Sequence, residues 1–343
     1  MSGTSLDGLD IAQCLFTFSR GKWNYKIERA ITYEYSVEWK HKLSVAENLS
    51  GVGLILLTNE FGLLMGNYCN SFLGINPVKI DFIASHGHTV FHQPDKGLTF
   101  QIGNGACVSA VTGLTTICDF RNQDVALGGQ GAPLVPVGDA LLFSDFAYCL
   151  NIGGFCNISF ETSSARVAFD ICPANIVSND LVKERNLLYD LNGAIARKGN
   201  IHTGLLTELN GLPFYKISGP KSLGKEWVLD YMQPVLNKYP ISLEDKLRTY
   251  YQHVADQVTE VVSVAQKGRI LITGGGAHNL FLTELLTKSL PLECVVPQNE
   301  IIDFKEALVF AFLGVLCYRN EVNCLRSVTG AKKDHVGGVI FRG

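Results

Sequence analysis

The sequence predicts an α/β chain folded as two lobes. Three observations carry that reading. Strand-like apolar runs alternate with helix-like ones along the chain. Its 343 residues exceed what one hydrophobic core organises well and suit two domains of ordinary size. Several apolar runs also break on glycine clusters, where open sheets present ligand groups. Hydrophobic residues make up 47% and charged ones 18%, which excludes a disordered or collagen-like chain.

The chain opens on Met1-Ser2-Gly3-Thr4-Ser5-Leu6-Asp7-Gly8-Leu9-Asp10 and runs into an apolar, strand-like stretch at 11–18. Gly3 and Gly8 let backbone N–H groups crowd an anion, while Ser2, Thr4 and Ser5 add hydroxyl donors. Carboxylates at Asp7 and Asp10 repel a bare phosphate, so they point to a magnesium-linked nucleotide; an ordinary polar turn is the rival reading. Residues 53–72 set Leu57, Phe61, Leu64, Tyr68 and Phe72 on one face of a long helix, as core rather than ligand contacts. Residues 80–85 and 98–102 read as buried strands ending on His86-Gly87-His88 and Gly103-Asn104-Gly105. His86 and His88, with Thr89 after them, suit substrate contact better than burial. A metal site there is weak, because no carboxylate follows at helical spacing.

Gly128, Gly129 and Gly131 permit hinge motion and place a lobe boundary near Asp124, giving lobes at 1–124 and 125–319. Residues 148–158 read as strand, Gly153-Gly154 turn and strand, mirroring the opening hairpin. A short strand at 166–169 ends on Asp170. Ser242 suits an N-cap before a helix over about 243–266, which delivers the chain to a buried strand at 269–273. That strand breaks into Gly274-Gly275-Gly276 and enters a helix near Asn279, letting a flat or anionic ligand such as an adenosine or its phosphates approach the backbone. The apolar run 307–318 is a core helix, too short to span a bilayer.

A formal charge of −3 gives no electrostatic reason to expect nucleic acid or an anionic membrane as partner. The 10 cysteines are scattered, without a C-x-x-C pair or a zinc-like cluster, which predicts reduced thiols in the cytoplasm. No charged start leads into an apolar h-region, so no signal peptide is expected.

Two phosphate-like hairpins and a glycine-rich adenosine loop resemble the sugar-kinase, actin and heat-shock-chaperone ATPase superfold. Within it, the opening ten residues, Ser85-His-Gly-His-Thr-Val90, Gln101-Ile-Gly103, Asp119-Phe-Arg-Asn-Gln-Asp124, Gly128-Gly-Gln-Gly-Ala-Pro-Leu-Val-Pro136, Asn151-Ile-Gly-Gly154 and Gly274-Gly-Gly-Ala-His-Asn279 together resemble anhydro-N-acetylmuramic acid kinase, in order and over nearly the whole chain. The resemblance implies a two-lobed, actin-like ATPase (ribonuclease H-like) fold with its ligand cleft between the lobes, the C-terminal residues from about 320 to 343 returning to the first lobe. It implies ATP-dependent hydrolysis of the 1,6-anhydro bridge with phosphorylation of O6, giving N-acetylmuramic acid 6-phosphate and ADP in cell-wall recycling. ATP and Mg2+ are the implied cofactors and a small sugar the partner, with a homodimer left open.

By the same resemblance Asp170 is the base that activates water, since phosphoryl capture of the leaving oxygen replaces the general acid of an ordinary glycosidase. Capping of the next helix is its rival role, and Asp139 is a weaker rival base. Gly3, Thr4, Ser5, Leu6, Asp7, Gly8 and Asp10 grip phosphates, with Gly153, Gly154 and Asn157 approaching from the other lobe. Gly274, Gly275, Gly276 and Asn279 lie against adenosine, and Asp7 holds magnesium. His86, Thr89, Gln101, Arg121 and Glu306 face the sugar, against a rival Arg121–Asp124 salt bridge and a helix-dipole role for Glu306.

The chain departs from the family pattern twice. Asp170-Ile171-Cys172-Pro173-Ala174-Asn175 stands where the family has Asp-Thr-Gly-Pro-Gly-Asn, so side chains restrict two backbone positions that glycine leaves open. The family also carries a short apolar strand ahead of the opening motif, where Met1 sits here, and the expectation is a start codon assigned too late. An inactive sugar-binding or regulatory protein, and a kinase for another small molecule, are the competing functions.

Overall fold

The computed structural model describes residues 1–3, 6–74, 79–217, 219–262 and 268–343. The chain forms two compact units, Met1–Leu142 with Phe304–Gly343, and Phe143–Asp303. The sequence reading put the division at 124/125 and the return at about 320. The structure moves both points, for a packing reason. The Val135–Leu142 helix packs on the first unit, with Gly138 lacking the side chain that would strike Val309, and its Asp139 forms a buried ion pair of 2.7 Å with Lys305. The glycine stretch expected to hinge is likewise tied within the first unit: Gly131 N–H donates to Asp124 Oδ2 at 2.7 Å, and Gln130 N–H to the Thr329 carbonyl at 2.8 Å.

In the first unit, β1 (Gly8–Ser19) and β2 (Lys22–Glu34) form an antiparallel hairpin. β3 (Ile83–Ala84) lies parallel to β6 (Thr116–Cys118), which pairs with β12 (Val339–Phe341) in the order β12-β6-β3. β4 (His88–Gln93) and β5 (Leu98–Ile102) make a second hairpin. The strand expected at 80–85 is therefore only two residues long, and the one expected at 98–102 belongs to a hairpin rather than an open sheet.

The long helix runs Gly51–Leu73, capped by Ser50, whose hydroxyl accepts from Gly53 N–H. Its buried face is Leu57, Phe61, Gly62, Met65 and Gly66, rotated from the expected line through Leu64 and Tyr68. The two glycines cause the rotation. A Cβ at Gly62 would lie 2.7 Å from the Asn104 carbonyl, and one at Gly66 would lie 2.8 Å from Val111 Cβ, so this stripe lets the Gly105–Thr112 helix approach closely.

The second unit is built on five strands in the order β11-β10-β7-β8-β9. These are β7 (Tyr148–Ile152), β8 (Phe155–Glu161), β9 (Arg166–Pro173), β10 (Arg269–Thr273) and β11 (Glu293–Val295). β10 runs parallel to β7 and β11, while β7, β8 and β9 are antiparallel neighbours. The helix expected after Ser242 spans Leu243–Val262, and Asp245 N–H donates to the Ser242 hydroxyl at 3.1 Å; the rest of the expected helix, 263–266, lies outside the described residues. Its Tyr250, fully buried, donates to the Pro173 carbonyl at 2.7 Å and so anchors the end of β9.

Gly62→Ala is expected to cost about 1–3 kcal/mol by overpacking, offset by up to about 1 kcal/mol of helix propensity. Gly51→Ala, whose Cβ would meet nothing within 4 Å, serves as control. Thermal unfolding of the two variants should show a lowered midpoint for the first alone.

Candidate active site

In the second unit a polar row crosses the end of the sheet. Register places Thr273 opposite Asn151, Asn151 opposite Asn157, and Asn157 opposite Asp170. Directly opposed residues share a face, so this pairing brings the expected Asn157 and Asp170 together and adds Asn151. Asp170 is half-buried at the outer strand. Its Oδ2 accepts from Leu223 N–H at 2.9 Å, and its own N–H donates to the Lys221 carbonyl at 2.9 Å. Desolvation raises its pKa above the ordinary aspartate range, opposed by the Leu223 hydrogen bond. The helix-capping role is not what this carboxylate does: the Asn175–Val182 helix has Ala174 at its N-cap with no side-chain cap bond.

The Gly153-Gly154 turn lies between β7 and β8 as expected. The Gly154 carbonyl accepts from Ala174 N–H at 2.8 Å and Ile176 N–H at 3.2 Å, and the Gly153 carbonyl accepts from Asn175 N–H at 3.1 Å. The turn thereby satisfies the first donors of the Asn175–Val182 helix, which otherwise have no intrahelical partner. Cys172 lies within β9 and Ala174 has φ −130°, so neither of the residues replacing the family glycines occupies the left-handed region.

Gly274 does need glycine, with φ +81° and a would-be Cβ 2.6 Å from Asn151 Oδ1. Gly276 packs on Ile152, whereas a Cβ at Gly275 would meet only Asn175 Nδ2, at 3.7 Å. Asn175, whose Nδ2 also donates to the Ile152 carbonyl at 3.3 Å, thus joins the two glycine stretches. It was absent from the candidate residues, and its signal was the Asn retained in the motif after both glycines had changed. Asn279 carries a different duty: its Oδ1 accepts from Leu282 N–H at 3.0 Å and caps the Leu280–Ser289 helix.

In the first unit, Thr4 and Ser5 lie outside the described residues. Leu6 takes φ +60°, Leu6 N–H reaches the Gly3 carbonyl at 3.4 Å, and Asp7 is exposed in the bend before β1. Gly8 sits where a Cβ would strike the Tyr33 carbonyl at 2.5 Å. Asp10 is set apart from this loop, as its Oδ1 accepts from the Thr32 hydroxyl at 2.6 Å on the β1–β2 hairpin.

The sugar candidates form two groups. Arg121 Nε–H donates to His86 Nε2 at 2.9 Å and Nη1–H to the Gly131 carbonyl at 2.6 Å. His86 Nδ1–H donates in turn to the Gly87 carbonyl at 3.0 Å, which fixes its tautomer. Burial, then the Arg121 charge, pushes His86 well below its ordinary pKa, so it stays neutral. Burial brings Arg121 down to about 10, opposed first by the Glu306 carboxylate, while Glu306 is raised by desolvation and held back by Arg121. Thr89 and Gln101 face each other across β4 and β5, with Gln101 Nε2 donating to Thr89 Oγ1 at 3.4 Å and Thr99 Oγ1 at 2.9 Å. His86 and Gln101 line one pocket of about 190 Å³.

The rival pairings fail. Asp124 accepts from Gly131 N–H and the Thr329 hydroxyl, each at 2.7 Å, so Arg121 and Asp124 hold Gly131 from two sides instead of pairing. Asp139 is committed to Lys305. His88, expected at the substrate, is buried; its Nδ1 lies 3.0 Å from the Ser2 hydroxyl, which also accepts from Tyr35 OH at 2.7 Å.

The family model described as anhydro-N-acetylmuramic acid kinase matches residues 1–343. Curated relatives of that name are similar along nearly their whole length. The one from Hahella chejuensis is 34% identical over 360 residues, covering 99% of this chain and 97% of the relative. The one from Pseudomonas putida is 35% identical over 362 residues, covering 99% and 98%. The one from Vibrio cholerae is 33% identical over 363 residues, covering 99% and 96%. With a match of that extent, this chain belongs to the anhydro-N-acetylmuramic acid kinase family.

Proposed function

We propose that the protein cleaves the 1,6-anhydro bridge of anhydro-N-acetylmuramic acid with ATP, releasing N-acetylmuramic acid 6-phosphate and ADP in the cytoplasm. The observation that carries the reading is Asp170: a half-buried carboxylate, fixed by one backbone N–H, opposite Asn157 on the hairpin whose tip is Gly153-Gly154.

Asp170 is the base. Leu223 occupies its Oδ2, which leaves Oδ1 to take a proton from water as the oxygen attacks the anomeric carbon. The bridging oxygen leaves toward the γ-phosphorus of ATP, so the electron pair released by C–O cleavage forms the new O–P bond, the bond from that phosphorus to the β,γ-bridging oxygen breaks, ADP leaves with its electron pair, and no acid is required at the sugar oxygen. Asn157 and Asn151 orient the water and the transferring group from the same face.

For ATP, the fit rests on exposed glycine backbone. A Cβ at Gly153 or Gly154 would meet nothing closer than 3.4 Å, and Gly275 is equally open. In the second unit Gly153 and Gly154 hold phosphate oxygens and Gly274–Gly276 lie against adenosine, and in the first unit Gly3 and Gly8 of the opening motif serve as phosphate-binding backbone in their own right. Asp7, an exposed carboxylate, suits magnesium held partly through water. When bound, that ion neutralises charge around the transferring phosphoryl group.

Arg121 binds the sugar's carboxylate. With Nε and Nη1 committed to His86 and Gly131, its Nη2 carries no hydrogen bond among the described residues and faces the ligand as a donor in fixed orientation. Neutral His86 acts as a spacer that holds this geometry without adding charge. Glu306 and Gln101 accept and donate to ring hydroxyls.

Four results are expected. ADP release with magnesium and ATP should depend on anhydro-N-acetylmuramic acid, with phosphorus NMR identifying a 6-phosphate; turnover indifferent to the sugar would defeat the proposal. Asp170→Asn should lower kcat by roughly 100- to 10,000-fold while ATP still binds by calorimetry. In the wild type, activity should be lost as pH falls through the Asp170 pKa, with the acid limb lying above an aspartate's ordinary 3.8 and missing from the residual activity of the Asn variant. Arg121→Ala should raise KM for the sugar by about 10- to 100-fold, the loss of one charged hydrogen bond, with a smaller change in kcat.

A further inference from the structure

Three side chains of metal-ligating type meet inside the first unit, none of them among the residues assigned above to ATP or sugar. Asp124, Cys324 and His335 are 0%, 1% and 5% exposed, and their ligand atoms all lie within 4.8 Å of one another. Along the chain the cysteines show no zinc-like spacing; the fold brings the ligands together. Cys324 and His335 face each other in an isolated antiparallel bridge, with N–H to carbonyl bonds of 3.1 Å in both directions. Asp124 reaches them from the helix Asn122–Ala126. The histidine gives the cluster its direction. His335 Nδ1 lies 3.3 Å from the Lys333 carbonyl, and a carbonyl only accepts, so Nδ1 carries a proton. In the neutral ring that leaves Nε2 an acceptor, buried and without a hydrogen-bond partner among the described residues. Asp124 Oδ1 lies 3.7 Å from it. The gap is too long for an N–H···O bond, and two facing acceptors repel. It suits a shared cation: two metal–ligand bonds of about 2.0–2.1 Å at a tetrahedral angle set nitrogen and oxygen about 3.3–3.4 Å apart, a small closure from the distance seen.

We propose that Asp124, Cys324 and His335 hold a zinc ion that ties the C-terminal segment to the Asp124 helix. The donor set selects the metal. Thiolate and imidazole favour zinc over magnesium or calcium, which take oxygen ligands. One thiolate and one carboxylate balance the charge of Zn2+, so the loaded site places no net charge in a fully buried position. Three protein ligands leave the fourth tetrahedral position to a water. On binding, the Cys324 S–H bond breaks, sulfur keeps the electron pair and donates it to zinc, and the proton passes to solvent. Burial, then the Asp124 charge, pushes that thiol up to about 12, and a divalent ion reverses the balance by taking the proton's place. The Lys333 carbonyl on His335 Nδ1 and the Thr329 hydroxyl, 2.7 Å from Asp124 Oδ1, orient two of the ligands from behind. Asp124 also holds Gly131 N–H through Oδ2, and the Gly131 carbonyl holds Arg121. Zinc would therefore stiffen the support of Arg121 without entering the reaction.

The inference stands apart from the kinase reading, since its test reads metal and not turnover. The full chain, purified from cells grown with added zinc, should carry one zinc per chain by plasma mass spectrometry. Refolded from urea with one equivalent of Co2+, it should show the visible bands of tetrahedral cobalt and a thiolate-to-cobalt charge-transfer band in the near ultraviolet. Cys324→Ser should abolish the charge-transfer band. His335→Gln should weaken cobalt binding by roughly 100-fold or more, since even an outer-shell partner is worth about 10- to 100-fold. Cys107→Ser, at a thiol 3.8 Å from Asn59 Oδ1, should change neither. A native chain without zinc, a refolded chain without the charge-transfer band, or a band that survives Cys324→Ser would each overturn the assignment.

Discussion

The polar row of the second unit depends on a single backbone arrangement, the carbonyls of Gly153 and Gly154 accepting the N–H groups of Ala174, Asn175 and Ile176. A helix start normally recruits a side-chain cap or a ligand for those donors. Here a turn does it, and the consequence is geometric: the tip of the β7–β8 hairpin is locked to the end of β9. Because β9 is held there, Asp170 keeps its register opposite Asn157, and Tyr250 secures the same end through the Pro173 carbonyl. The same contacts commit these helix donors within the fold.

Electrostatics divide the candidate residues between the units by type. Asp170 is an acid whose burial weakens it and whose single N–H partner keeps it ionisable, the balance a base needs near neutral pH. In the first unit the sense is reversed. Arg121 keeps its charge against burial with help from the Glu306 carboxylate, and His86 remains neutral because it is buried and, secondly, because the Arg121 charge lies beside it. A neutral imidazole that accepts from a guanidinium costs less than a second buried cation and still directs the remaining Arg121 donors.

Much of this was legible in the sequence wherever signal and structure are local. The Gly153-Gly154 hairpin, the strand into Gly274 and the Ser242 cap are each read from a few adjacent residues, and each stands as expected. What failed to show was set by distant partners. Nothing near Asp170 announces that Leu223, 53 residues on, will bind its carboxylate. Nothing in His86-Gly87-His88 separates a histidine that supports Arg121 from one that ties down Ser2. The helix face at Leu64 and Tyr68 was misjudged because hydrophobicity was weighed and the glycine stripe was not, although close helix contact favours the smaller residue. The lobe boundary was misplaced for a related reason, since glycines that permit motion were taken for a hinge when Asp124 binds Gly131 and Thr329 binds the intervening Gln130.

The central claim is that one aspartate delivers water to the anomeric carbon while ATP captures the leaving oxygen. A single turnover in ¹⁸O-labelled water tests it directly. The account predicts one labelled oxygen at C1 of the sugar product and none in its phosphate. Label in phosphate, with the sugar oxygen unlabelled, would mean that water attacks phosphorus, and Asp170 would then serve a different reaction.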